Sequence, residues 1–231
     1  MRKRKMRDSK TTRDRLLNET ARLVERQGFG PTSVNDVLQA AGVKKGTLYY
    51  HFPGKDELGL AVLERARDDF LKFLDSALAA PTPMEALERF FKAALRKHRK
   101  TGFVGGCLWG NTALEMSDSS PAYTALVERV FEEWICRIER VIRSGQEAGQ
   151  IRTDQPAAEL ARLVVAGIEG GIMMSRLTKL DSPLRSCLES LRLLLAPKTI
   201  PAASLPASSA EQEQDLNDQQ ISRPAKRKDR K

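Results

Sequence analysis

Residues 44–50 concentrate side chains that can bind a polyanion. The segment combines two ammonium groups, one aliphatic hydroxyl and two phenols, which belong to Lys44, Lys45, Thr47, Tyr49 and Tyr50. It contains no Asp or Glu. Ammonium and hydroxyl groups bind phosphate oxygens, and hydroxyl and aromatic groups also contact base edges. A solvated surface helix usually mixes both signs of charge, so this pattern favours a helix that enters the major groove of DNA.

A helix-turn-helix is predicted to position these groups. Thr32 and Ser33 can cap a first helix with their hydroxyls, and Asp36 adds a favourable charge in its first turn. Gly42 has the conformational freedom that a sharp turn between two helices needs. Apolar residues recur at helical spacing on both sides of this turn, and they would form a shared core: Val34, Val37, Leu38, Ala41, Val43, Leu48 and Phe52.

The whole pattern up to residue 196 is helical, and it predicts an all-α fold. Apolar residues at spacings of three and four predict helices over 9–28, 45–52, 55–79, 84–100, 108–116, 121–145, 157–176 and 184–195. We therefore expect a basic N-terminal arm (1–8), a three-helix DNA-binding domain (9–54) and a larger helical C-terminal domain (55–196). Residues 197–231 are rich in Pro, Ser and acidic or amide side chains, which predicts a disordered tail.

The net charge of +9 is placed mainly at the two ends of the chain. Residues 1–15 carry a net charge of +6 and residues 223–231 carry +5, so the remainder is close to neutral. Basic arms of this kind attract nucleic acids by releasing counterions. We expect the N-terminal arm to reach into a minor groove beside the helix-turn-helix. The C-terminal arm is equally compatible with a solubilising tail.

The chain contains few of the residues that enzymes and metal-binding proteins require. The chain has only two histidines and three cysteines, without a Cys-x-x-Cys pair, a glycine-rich phosphate loop or a nucleophile motif. We therefore expect no enzyme activity, no metal and no cofactor. No apolar run approaches the roughly 20 residues that cross a bilayer, so a cytoplasmic protein is expected. A helical small-molecule-binding or scaffold protein that does not bind DNA remains the alternative.

The block GVKKGTLYYHFPGKDEL at residues 42–58 closely resembles the DNA-binding domain of TetR-family transcriptional repressors. A weaker resemblance extends over residues 9–196. Two positions depart from the pattern. Leu38 stands where many members have alanine, and Lys44 stands where serine is common, which favours a phosphate contact at that position.

The resemblance implies a role for each matched position in binding a palindromic operator. Ser33 and Asn35 would contact the backbone or a base, and Lys44, Lys45, Gly46 and Thr47 would begin the recognition helix. Gly46 would let the DNA approach the backbone closely. Tyr49 and His51 would bind phosphates with Tyr50 nearby, and Lys55 would place an amide and an ammonium on a phosphate. A position at the edge of the core is the competing interpretation of His51.

The resemblance also implies a C-terminal domain that dimerises and binds an inducer. The segment GFVGGCLWGN at residues 102–111 resembles family members that sense electrophiles or oxidants through a cysteine. Cys107 would open a helix whose dipole lowers the pKa of its thiol, although a buried apolar cysteine is equally compatible. The candidate sensor residues are Phe103, Cys107, Trp109, Asn111 and Trp134. Small residues in 157–176 predict close helix packing, either in a homodimer or within the core of one subunit. A small molecule or reactive electrophile would release the operator.

Overall fold

The computed structural model describes residues 2–198, with side chains from Thr11 onward. This range contains nine α-helices and no strand, which confirms the predicted all-helical fold. The helices are α1 (Arg2–Gln27), α2 (Val34–Ala41), α3 (Lys45–His51), α4 (Lys55–Leu78), α5 (Pro83–Lys100), α6 (Leu108–Met116), α7 (Pro121–Glu147), α8 (Ala157–Thr178) and α9 (Ser182–Leu195). None of these described helices combines the length and apolarity needed to span a bilayer.

The structure changes the prediction for the N-terminal arm, and it does not describe most of the predicted C-terminal tail. Helix α1 begins at Arg2, so the backbone of residues 2–8 is helical, where an arm preceding the helix was expected. No Gly or Pro interrupts this segment, and its many Lys and Arg residues are good helix formers. Its docking in a minor groove stays a prediction. Residues 199–231, which carry most of the predicted disordered tail and the C-terminal basic arm, lie outside the described residues.

The helix-turn-helix forms as its caps and spacing predict. The hydroxyl of Ser33 accepts a hydrogen bond from the Asp36 amide at 3.1 Å, and the Asp36 carboxylate accepts one from the Ser33 amide at 2.8 Å. Gly42 ends α2 in the left-handed region, with φ of 60°. The core beneath α2 and α3 is shared with α1 and with the first two turns of α4, and its buried members are Leu16, Leu17, Val37, Ala41, Leu48, Phe52, Leu58 and Val62. We call α1–α3 with residues 55–62 the helix-turn-helix head.

A second core fills the C-terminal helices. Its buried side chains come from α4, α5, α7, α8 and α9 and from the loops that join them. Helices α8 and α9 approach closely because α8 carries glycines at the crossing. A Cβ added at Gly171 would lie 3.0 Å from Leu184 Cδ1, and one at Gly167 would lie 3.1 Å from Leu191 Cδ1.

A third cluster joins the head to the C-terminal helices, and we call it the junction cluster. Its buried members are Val24, Phe29, Leu63, Trp109, Tyr123, Leu126, Val127 and Val130. They come from α1, the α1–α2 corner, α4, α6 and α7. Apolar burial therefore ties α6 and α7 directly to the head, in addition to the covalent connection through α4.

Candidate functional site

Helix α3 is held by one apolar residue and exposes its polar side chains. Leu48 is fully buried in the core of the head. Lys44, Lys45 and Gly46 are exposed at the start of the helix, and Thr47 is half-buried. Tyr49 is 44% exposed and Tyr50 is 78% exposed, an unusual degree of exposure for aromatic side chains. The structure therefore brings together the cations, hydroxyls and phenols that the sequence assigned to one surface.

The start of α2 flanks this surface. Ser33 and Asn35 are both exposed there. The Ser33 hydroxyl accepts a hydrogen bond from the Asp36 amide at 3.1 Å. Hydrogen bonds from the Ser33 amide and then from its hydroxyl keep the pKa of the Asp36 carboxyl below its ordinary value. The one acidic group in α2 is thus engaged in capping the helix.

His51 and Lys55 lie at the other end of the surface, and each has a contact within the protein. The His51 ring is half-buried, with its centroid 5.0 Å from that of Tyr50 and 6.4 Å from that of Phe52. Lys55 Nζ donates to the carbonyl of Gly30 at 3.1 Å, a contact between distant segments that spacing does not reveal. No side chain caps the start of α4 at Gly54, so amides of its first turn can face an anion.

A cavity of about 400 Å³ lies between the head and the C-terminal helices. Side chains of α1 and α4 line one side, and residues of α5, α6, α7 and α8 line the other. Its aromatic part is formed by Phe70, Phe73, Phe90, Trp109 and Trp134. Charged side chains also line it, namely Glu25, Arg65, Asp69 and Lys97. Because α1 belongs to the head, a molecule in this cavity would contact both parts of the chain.

The structure places three of the five predicted sensor residues around this cavity, namely Cys107, Trp109 and Trp134. Phe103 is instead buried in the C-terminal core, with a left-handed φ of 57°. Asn111 faces a second, more open cavity of about 630 Å³ beside α6, α7 and α8. Its side chain donates to the Gly105 carbonyl and accepts from Arg176 at 2.8 Å.

Trp134 carries a buried donor without a partner among the described residues. Its side chain is 2% exposed, and its indole Nε1 makes no hydrogen bond there. The rings of Phe70 and Phe131 flank it, with centroids 5.2 Å and 6.0 Å away. Leaving such a donor unpaired in a buried site costs about 1–3 kcal/mol, so an acceptor supplied by a ligand or water would be stabilised here.

The expected lowering of the Cys107 thiol pKa is wrong. Burial raises the pKa, and the adjacent carboxyl of Glu169 adds to that effect. Amides at the start of α6, those of Trp109 and Gly110, do act in the expected direction, but burial outweighs them. Glu169 was missed because it lies far away in sequence, on α8. Its Oε1 is buried without a partner among the described residues, and burial raises the pKa of this carboxyl as well.

His98 is a further cavity-lining residue that the sequence reasoning did not select. Its side chain is buried near the end of α5, which is amphipathic with a strongly basic last turn. Burial and then the charge of the neighbouring Lys97 lower the pKa of His98 to about 4. The imidazole is therefore neutral near pH 7, and the cavity keeps an uncharged wall at this point.

The lowered pKa of His98 predicts a loss of stability in mild acid. An unfolded histidine takes up its proton near pH 6.5, whereas the folded protein resists protonation until about pH 4. The free energy of unfolding should therefore fall by on the order of 2 kcal/mol as the pH drops from 6.5 to 4. Urea denaturation at several pH values measures this slope. The variant His98→Phe should flatten it, and an equally steep slope in that variant would contradict the assignment.

Comparison with protein families matches both parts of the chain. Residues 16–62 match the family described as "Bacterial regulatory proteins, tetR family", and residues 83–191 match "Tetracyclin repressor-like, C-terminal domain". The first match ends at Val62, the last residue of the head core on α4. The head core therefore extends beyond residue 54, where the sequence had placed the domain boundary.

Individual relatives match over most of their length. The HTH-type transcriptional repressor DhaR of Mycobacterium sp. (strain GP1) is 30% identical, over 81% of this chain and 93% of the relative. The transcriptional regulator AcuR of Cereibacter sphaeroides is 32% identical, over 69% and 74%. The crystal structure of a regulatory protein TetR from Rhodobacter sphaeroides superposes with a TM-score of 0.75 at 28% identity, covering 79% of this chain and 98% of that chain.

Proposed function

We propose that this chain, which belongs to the TetR family of helix-turn-helix transcriptional regulators, is a repressor that a small molecule releases from a palindromic operator. The observation that carries the operator-binding part is the exposed face of α3, which has no acidic residue and is anchored by the buried Leu48. Repression follows the relative whose name describes a transcriptional repressor. The predicted DNA contacts remain Ser33, Asn35, Lys44, Lys45, Gly46, Thr47, Tyr49, Tyr50, His51 and Lys55.

A homodimer would place two such faces on one side of the DNA. Helices α8 and α9 expose large apolar side chains, which are Leu163, Met173, Met174, Leu177, Leu193 and Leu194. Apolar side chains in such number on two adjacent helices are typical of a surface that a second subunit covers. A twofold axis through this surface would match the symmetry of a palindrome, whose half-sites lie about one helical turn apart.

Selection from a random duplex library, followed by fluorescence anisotropy at several salt concentrations, tests this function. We expect enrichment of a palindrome and binding to it at least about 10³-fold tighter than to unrelated duplex. Affinity should also fall steeply as salt rises. A monomeric protein without preference for any duplex would overturn the proposal. That outcome would favour the alternative, a helical small-molecule-binding or scaffold protein.

The chemistry of the 400 Å³ cavity defines the class of inducer. Its aromatic walls and neutral His98 favour a molecule with a large apolar part, and the unpaired indole N–H of Trp134 favours one with a hydrogen-bond acceptor. Cys107 lines the same cavity, so a ligand that also carries an electrophilic carbon could alkylate it. The raised pKa of Cys107 makes this reaction slow at neutral pH, because the thiolate is the nucleophile.

Two small molecules of similar size distinguish the contribution of a hydrogen-bond acceptor from the contribution of apolar surface to binding in the cavity. We expect 1-acetonaphthone to raise the melting temperature more than 1-ethylnaphthalene, which has a similar size but lacks the carbonyl. The variant Trp134→Phe should lose this difference, whereas Cys107→Ser should keep it. N-ethylmaleimide should release operator from the wild type and not from Cys107→Ser. Equal responses of the wild type and Cys107→Ser to N-ethylmaleimide would remove Cys107 from the mechanism.

A further inference from the structure

The short helix α6 reaches from the cavity to the head. Its first turn carries Trp109, and Cys107 caps it, so its N-terminal end forms part of the cavity wall. Glu115 lies at its other end, six residues beyond Trp109, which corresponds to about 9 Å along a helix. A displacement of the cavity wall that shifts α6 would therefore also displace Glu115 and the groups that are bonded to it.

Glu115 holds the corner between α1 and α2. Its carboxylate accepts a hydrogen bond from the Phe29 amide at 2.9 Å and a second one from the Gly30 amide. Two successive amides that face one anion form a concave binding site of the kind that loops use to hold phosphate. Helix α6 is thus hydrogen-bonded to the backbone of a segment that lies about 85 residues earlier in the chain.

The corner is shaped to admit this carboxylate. Gly28 adopts a left-handed φ of 91°, and a Cβ added there would lie 2.8 Å from Glu115 Oε2. A Cβ added at Gly30 would lie 2.9 Å from Glu115 Oε1. Both distances are shorter than real Cβ contacts, so a side chain at either position would push the carboxylate away.

The same corner is joined to two predicted DNA contacts. Lys55 Nζ donates to the Gly30 carbonyl at 3.1 Å, and Ser33 follows three residues later as the cap of α2. The Thr32 hydroxyl donates to the Gly28 carbonyl at 2.6 Å, and this bond fixes the backbone of the corner between Gly28 and Thr32. A displacement of the corner would therefore change the position of the α2 start and of Lys55.

We infer that Glu115 is a positioning residue that couples the cavity to the DNA-binding surface, because it joins α6 to the α1–α2 corner. The coupling path runs from the cavity wall through α6 and the Glu115 carboxylate to the amides of Phe29 and Gly30, and it acts in addition to the contacts between α6 and α4. When α6 moves, the carboxylate leaves the corner and the arrangement of Ser33 and Lys55 relaxes. This inference rests on the proposed DNA-binding function of the head.

Two variants break this contact from opposite sides. Glu115→Ala removes the carboxylate, and Gly30→Ala keeps it but displaces it at little steric cost, because Glu115 is exposed and flexible. Each should weaken binding to the selected operator roughly fivefold, at the lower end of common coupling energies. The double variant should be little worse than either one, since both remove the same contact. Glu128→Ala is the matched control, because it removes an exposed Glu from α7 at a distance in sequence from the corner.

A spectroscopic signal from α6 tests whether Glu115 couples the cavity to the head or only stabilises the corner between α1 and α2. Trp109 and Trp134 are the only tryptophans, so protein labelled with 5-fluorotryptophan gives one fluorine resonance from each. By the reciprocity of linked binding, operator DNA should shift the Trp109 resonance in the wild type and in Glu128→Ala. This shift should be smaller in Glu115→Ala and in Gly30→Ala, in which only the apolar contacts of the junction cluster still join α6 to the head.

The outcomes distinguish the inference from the function on which it rests. If the wild type binds no duplex, the proposed DNA-binding function fails. If the wild type binds operator and Glu115→Ala keeps both the wild-type affinity and the shift of Trp109, the inference is overturned. An operator that does not shift the Trp109 resonance of the wild type also overturns it.

Discussion

Gly46→Ala is expected to stabilise the free protein and to weaken operator binding by about tenfold or more. Gly46 is an exposed residue of α3, and a Cβ added there would meet nothing within 4 Å. Glycine inside a helix costs roughly 0.5–1 kcal/mol relative to alanine. The fold therefore gains nothing from glycine at this position, and close approach of a DNA backbone or base is the physical reason that remains.

The prediction for Gly46→Ala is specific because protein stability should rise while operator affinity falls. Melting temperature should rise slightly, whereas anisotropy at fixed salt should show the loss of affinity, which corresponds to about 1.4 kcal/mol. Gly42→Ala provides the comparison, since its added Cβ also meets nothing but its φ of 60° disfavours alanine. That variant should lose stability. Wild-type operator affinity in Gly46→Ala would show that the start of α3 does not approach the DNA closely.

Local signals in the sequence were sufficient to predict the helices and the exposed polar face of α3. The spacing of apolar residues predicted the helices, and Ser33 and Gly42 act as the cap and the turn that their chemistry indicated. The exposure of Tyr49 and Tyr50 follows from the same periodicity, because Leu48, which directly precedes them, faces the core. Each of these features depends on residues within one or two helical turns of each other, which is the range over which sequence patterns are informative.

Features that depend on contacts between distant segments could not be predicted in this way. The pKa of Cys107 is set by burial and by Glu169 on α8, although its position at a helix start indicated the opposite direction. Asn111 lies two residues beyond Trp109 on α6, and the helical rotation between them turns it toward the second cavity. Glu115 shows no local pattern that marks it, because its partners Phe29 and Gly30 lie 86 and 85 residues away.

The close packing of α4 against α7 depends on a glycine, and Gly59→Ala should disrupt it. Gly59 is buried, and an added Cβ would overlap Tyr123 Oη and lie 3.0 Å from Phe29 Cε1. Tyr123 cannot easily yield, because it is 1% exposed, its hydroxyl donates to the Asp56 carbonyl at 3.2 Å and its ring packs edge-on against Phe29. Helix α4 must therefore move away from α7, with a loss of about 2–3 kcal/mol from overpacking.

Removal of the Tyr123 hydroxyl should rescue this variant in part. Tyr123→Phe alone should cost about 1 kcal/mol for the lost hydrogen bond. In Gly59→Ala/Tyr123→Phe the hydroxyl no longer meets the new methyl group, so the double variant should be more stable than Gly59→Ala, although the contact with Phe29 remains. Urea denaturation measures the three free energies, and anisotropy should show operator affinity recovering in parallel. Gly167→Ala, which crowds Leu191 between α8 and α9, should gain nothing from Tyr123→Phe. Strictly additive costs at Gly59 and Tyr123 would mean that their contact does not set the distance between α4 and α7.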